Sequence, residues 1–160
     1  MTYAISAASN LLLYWILLGF AAPLNAQSII ESEHTLHIKS KHSVALTVER
    51  AKRIAEHSEL KVFGVIDYNQ VASAAGTTLL PAQLMVFGDS EIDAELLEAN
   101  PLIGLDLPLK LLVWEDSRGV VWISYSSVEA MQKRHQLDAY AEKFNEIGNL
   151  LKDLAQRAGR

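Results

Sequence analysis

Two carboxylates and an amine are the residues best suited to chemistry: Asp67 closes the apolar run LKVFGVID, and Asp106 and Lys110 share the segment GLDLPLK. An acid pair beside a lysine can polarise a carbonyl or pass a proton once burial moves one of the groups away from its ordinary pKa. The competing reading, which the sequence favours, is a structural ion pair that ties the GLDLPLK loop to a sheet. His135 follows Arg134 near the end of a predicted helix, where it complements the helix dipole or adds a base or ligand to the set. No nucleophile elbow, phosphate-binding glycine loop, His-Glu-x-x-His motif or cysteine occurs, so no motif supports covalent or zinc-dependent catalysis. His34 and His37, in EHTLHIKSKH, are an odd number of residues apart and face opposite sides of a strand, so they form no chelating pair there. No metal site is expected and no cofactor is specified.

A second constellation is aromatic. In LKLLVWEDSRGVVWISYS, Asp116-Ser117-Arg118-Gly119 has the chemistry of a type I turn followed by a left-handed glycine. That three-residue loop pairs Asp116 with Val120, Trp114 with Trp122 and Leu112 with Ser124. One face of the hairpin then carries Leu109, Leu111, Val113, Val121, Ile123 and Tyr125, and the other Lys110, Leu112, Trp114, Asp116, Trp122 and Ser124. The second face is either covered, by the C-terminal helix or a second subunit, or used. Used, it is a platform where a flat or apolar ligand stacks on Trp114 and Trp122 beside Ser124, while Lys110 holds an anionic group.

The elements that position these residues are legible from capping and periodicity. Residues 27–42 read as a tail and a first strand, Thr35 to Lys39. Ser43 caps a helix with Val44, Val48, Ala51 and Ala55 on its inner face. Gly64 marks a bulge in the second strand, and NQVASAAG makes a short helix. The unbroken run AQLMVFG predicts a strand buried on both faces. Asp89-Ser90 opens a helix stopped by Asn100-Pro101, the hairpin follows, and Ser126 with Glu129 predicts a capping box. Asp138 is placed to cap the last helix. Along residues 138–160, after Leu137, Tyr140, Phe144, Ile147, Leu151 and Leu154 repeat at coiled-coil spacing. That seam fits either the domain's own sheet or a second subunit.

At 160 residues the chain has room for one core, and its net charge of -5 with no basic stripe argues against a nucleic-acid partner. Residues 1–26 contain no Asp, Glu, Lys or Arg, and Leu11 to Ala22 is continuously apolar. This is long enough for a signal-peptide core and short for a membrane span. Cleavage is expected after Ala26, giving a periplasmic or extracellular protein; membrane contact is expected only if this segment stays attached.

The blocks PAQLMVFGDS, IGLDLPLKLLVWED, VVWISYS and RHQL resemble the domain-of-unknown-function 302 family over residues 43–137. The resemblance implies a small α+β domain with an antiparallel sheet, exported and dimeric, and no activity. It points to Asp67, Gly88, Asp106, Pro108, Lys110, Trp114, Glu115, Trp122, Tyr125 and His135. Family members often carry Asp-His at the end of the second strand, where this chain has Asp67-Tyr68, so a site built on that histidine does not transfer. The expectation is a single α+β domain, mainly antiparallel sheet packed by helices with a long C-terminal helix, exported, homodimeric and binding an unspecified small molecule. The alternatives are an enzyme using Asp67, Asp106, Lys110 and His135, or a metal- or haem-handling protein.

Overall fold

Alternation along the hairpin sorts its side chains into two faces, and the rest of the chain folds around that division. The computed structural model describes residues 34–160; the expected signal segment, its cleavage point and most of the tail lie outside the described residues. Five strands, β1 (Thr35–Ser40), β2 (Lys61–Asp67), β3 (Ala82–Gly88), β4 (Leu109–Glu115) and β5 (Val121–Ser126), form one sheet. Their order is β1-β5-β4-β3-β2, with every pair antiparallel. The helices are α1 (Val44–His57), α2 (Tyr68–Ala74), α3 (Ser90–Ala99), α4 (Val128–His135) and α5 (Ala141–Gly159). The expected α+β class and the long C-terminal helix are both present.

Local chemistry starts and stops these elements. Ser43 Oγ accepts the N–H of Leu46 and starts α1. Asp67 and Asp89 do the same for α2 and α3. Asn100 caps the 3-10 turn Pro101–Leu105 through the N–H of Leu102. Gly119 has φ +75°, the left-handed value the turn requires. The sheet bulges between Val62 and Gly64.

One face of the sheet and the inner faces of α1, α3, α4 and α5 make a single core. Met85, Phe87, Leu109, Leu111, Val113, Ile123 and Tyr125 meet Val48 and Ala51 of α1, Leu96 of α3 and Met131 of α4. Phe144, Ile147, Leu151 and Leu154 of α5 enter the same cluster. The seam is therefore used within the subunit, with Leu137 buried ahead of it and Tyr140 packed at its edge.

Four local expectations are corrected. The helix after β5 begins one residue late, because Ser126 is still paired with Thr35 in the sheet; Ser127 is the cap that accepts the N–H of Ala130. Asp138 caps nothing and lies inside a 3-10 turn, Asp138–Tyr140, that leads into α5. β3 is buried on one face only, since Leu84 and Val86 are half-buried outside the core. The C-terminal helix does not cover the Trp face; it packs on the other side of the sheet.

Candidate functional site

The three-residue loop sets the register that the aromatic face needs. Asp116 N–H donates to the Val120 carbonyl at 2.9 Å, and Trp114 stands opposite Trp122, Leu112 opposite Ser124. The neighbouring strands extend the rows: Ala82 beside Trp114, Leu84 beside Leu112 and Val86 beside Lys110 on β3. On β1, Lys39 lies beside Trp122 and His37 beside Ser124. None of Leu84, Val86, Leu112, Trp114 or Trp122 joins the core. The face left open by the four core helices is thus apolar at its centre, with Lys39, Lys110 and His37 around it.

Two polar nodes hold it in shape. Ser124 Oγ, buried, accepts the indole N–H of Trp114 at 2.8 Å and meets His37 Nδ1 at 2.7 Å. Asp116 is the second node. Its carboxylate accepts the backbone N–H groups of Arg118 and Val120 at 2.9 and 3.0 Å. It also accepts the Arg118 guanidinium at 2.8 Å and the indole N–H of Trp122 at 3.1 Å. The Val120 backbone bond, with those from Arg118 and Trp122, outweighs burial and holds the Asp116 carboxyl far below the carboxylate range. With both indole N–H groups satisfied inside the fold, the rings present carbon surface to whatever meets them.

A separate polar cluster lies before β4. Asp106 Oδ2 accepts from His135 Nε2 at 2.6 Å, and Arg134 donates to both carboxylate oxygens at 2.8 Å. Lys110 Nζ donates to the Asp106 backbone carbonyl, not to its carboxylate. Burial pushes the Asp106 carboxyl up, but the bonds from His135 and Arg134 win and hold it below the ordinary range. That is the wrong direction for a group that must take up protons near neutrality.

The enzyme-like set therefore does not assemble. Asp67 caps α2 and accepts from Gln83 Nε2 at 3.1 Å. It shares a row with Gln83 and Val113, whereas Asp106 precedes Leu109, which separates them by about 13 Å or more along the strand. Of the four catalytic candidates only Asp106 and His135 touch through their side chains. Of the four ligand-face candidates, Lys110, Trp114, Trp122 and Ser124 all stand on the open face. Among the described residues no group of three or more His, Asp or Glu converges as metal ligands. Sequence reasoning weighed His37 only as a metal ligand, missing its contact with Ser124, and undervalued Asp116. The turn motif signals Asp116, but the His37–Ser124 contact joins residues 87 apart and leaves no local signal.

A family model described as "Domain of unknown function DUF302" matches residues 36–155. The fluoride-specific ion channel FluC 1 of Brucella suis biovar 1 is 37% identical over 110 residues, covering 69% of this chain and 43% of that protein. FluC 1 of Brucella abortus biovar 1 has the same identity, with 40% of its length covered. The chain spans less than half the length of these curated relatives. The crystal structure of an uncharacterized conserved DUF302 protein from Bacillus stearothermophilus aligns with a TM-score of 0.71 at 18% identity. The alignment covers 78% of this chain and 97% of that one, and it carries the fold.

Proposed function

The chain belongs to the family of domain of unknown function DUF302, and we propose that it is an exported, homodimeric, non-catalytic binding domain whose Trp face takes an apolar ligand with an anionic group. The observation that carries this is the open sheet face, apolar at its centre, with both indole N–H groups already bonded within the fold and Lys110 at its margin. Apolar contact drives binding and the ammonium orients the ligand. Export rests on the charge-free N-terminal segment. A dimer interface has to be sought on the Trp face or along β2, where Phe63, Val65 and Ile66 are exposed, because the α5 seam is consumed within the subunit.

The test is intrinsic fluorescence against a series of fatty carboxylates and the matching alcohols. A saturable change with the carboxylates but not with the alcohols, weakened by Lys110→Ala, supports the reading. An emission spectrum that no apolar anion alters overturns it. Sedimentation velocity tests the dimer, and a monomer at all concentrations removes it.

The names of the curated relatives favour a second reading. At most 33 of the 110 matched residues can precede His34, so at least 77 lie in the described domain. Among the described residues no helix is long and apolar enough to cross a membrane. The likeness thus rests largely on the globular domain, and the second reading is a domain that works beside a fluoride channel. Fluoride efflux from cells carrying such a channel, with and without this protein, tests it; equal efflux rates reject it.

A further inference from the structure

On the helical side of the sheet, remote from the Trp face, α1 and α5 meet in a cleft walled by arginine. One cavity of about 400 Å³ is lined by Arg50, Arg53, Ile54, Arg157 and Arg160. A second of about 280 Å³ shares Arg53, Ile54 and Arg157 and adds His57. Four guanidinium groups around one floor are a local reversal of charge in a chain whose net charge is -5.

Ion pairs within the fold answer only half of that charge. Arg53 pairs with Glu49, and Arg157 with Asp153 at 3.0 Å. Among the described residues no carboxylate pairs with Arg50 or Arg160. Arg50 is held rigidly instead: Nε donates to the Ala158 carbonyl and Nη2 to the Arg157 carbonyl, both at 3.0 Å. The opposing force is the C-terminal end of α5, whose free carbonyls disfavour an anion. That end carries about half a negative charge and the Arg160 α-carboxylate one more, against two guanidinium charges without a side-chain partner, and Arg50 already binds two of its carbonyls. Each guanidinium has five N–H donors, so Arg53 and Arg157 keep donors beyond those given to Glu49 and Asp153. His57 donates Nδ1–H to the Arg53 carbonyl at 2.6 Å.

We propose that this cleft is an oxyanion site for a phosphoryl group, with Arg53, Arg157 and Arg160 as the ligating donors and Arg50 as the fixed charge behind them. Planar forked donors match the oxygens of a tetrahedral oxyanion. Ile54, half-buried between them, gives the floor an apolar element that limits hydration of the bound ion. The proposal is independent of the Trp face and of any channel partner.

The experiment titrates full-length protein with inorganic phosphate while arginine Nε–H signals are followed by NMR, with sodium chloride at matched ionic strength as the reference. Saturable shifts at Arg53, Arg157 and Arg160 are expected. Arg53→Gln and Arg160→Gln should each weaken phosphate binding by about tenfold, while Lys52→Gln, one position outside the cleft lining, should leave it unchanged. Phosphatidate vesicles against phosphatidylcholine vesicles identify the source: binding to phosphatidate points to a lipid headgroup, and binding to free phosphate alone points to a soluble ligand. Shifts that chloride reproduces, or an Arg53→Gln/Arg160→Gln double variant that binds phosphate as the parent does, overturn the proposal.

Discussion

Replacing Asp106 with asparagine tests whether the cluster before β4 is a structural clamp. The side chain accepts from a His135 ring that is only 5% exposed and from an Arg134 that is 55% exposed. A net hydrogen bond to a charged acceptor is worth about 1.5–3 kcal/mol, whereas an exposed ion pair adds about 0.2–1 kcal/mol. The amide keeps one acceptor and turns a donor towards the side that Arg134 occupies, whose guanidinium only donates, so part of the loss is unrecovered. Asp106→Asn should cost about 2 kcal/mol at pH 7, and Asp106→Ala about 3 kcal/mol, since the alanine leaves His135 unpaired.

The sign of the pH dependence follows from the lowered carboxyl. Between the folded value and the unfolded value of about 3.9, the unfolded chain binds more protons, so stability rises with pH there. The contribution is complete above about pH 5 and is lost as pH falls through the folded value. Asp116 is lowered in the same direction and lies beyond the other end of β4, on the order of 20 Å away, so the two effects should add. Urea denaturation at pH 7, 5, 4 and 3 should show Asp106→Asn closing its deficit towards pH 3, with Asp116→Asn removing a second, separate part of the acid slope. A deficit below about 0.5 kcal/mol at pH 7, or one that persists unchanged at pH 3, would refute the clamp and reopen Asp106 as a reactive group.

Three further outcomes are expected. Leu151→Ala, at a fully packed position of α5, should cost about 2–5 kcal/mol by chemical denaturation without altering the sedimentation coefficient; a changed oligomeric state would mean that the seam faces a partner. Burial, reinforced by Asp89, pushes Asp93 up to about 6, so its ionisation opposes folding and stability should fall as pH rises from 4 to 6. Asp93→Asn should therefore gain about 1 kcal/mol at pH 7, discounted because the carboxyl is half in solvent, and a thermal melt that shows a loss contradicts this. Trp122→Phe removes one hydrogen bond to Asp116 and should cost about 1 kcal/mol, readable as a small drop in the urea midpoint.

The hairpin was legible because its register is local: Gly119 must take a left-handed turn, and the pairing of Trp114 with Trp122 follows from four adjacent residues. The caps at Ser43 and Asp89 are local for the same reason. What sequence could not supply was the side on which the helices lie. AQLMVFG reads as doubly buried because Leu84 and Val86 are as apolar as Met85 and Phe87. Only the placement of α1 and α5 shows that the first pair faces outward. The His37–Ser124 contact depends on the β1–β5 pairing, which joins the two ends of the fold and has no spacing rule.

The same division explains why the enzyme-like trio looked plausible and failed. Asp67, Asp106 and Lys110 all sit at the ends of strands, where chain direction decides whether residues meet. In an antiparallel sheet the end of β2 lies beside the start of β3, and the start of β4 lies beside the end of β3. Asp67 is therefore carried to one margin of the sheet and Asp106 to the other. Each carboxylate then takes the donors at its own margin: the α2 amides and Gln83 for Asp67, Arg134 and His135 for Asp106. Asp116 does the same at the hairpin turn. Among the described residues Asp116 is the acid in the Trp rows, and the amides, guanidinium and indole that it accepts offset its charge, which is the condition an anionic ligand on that face requires.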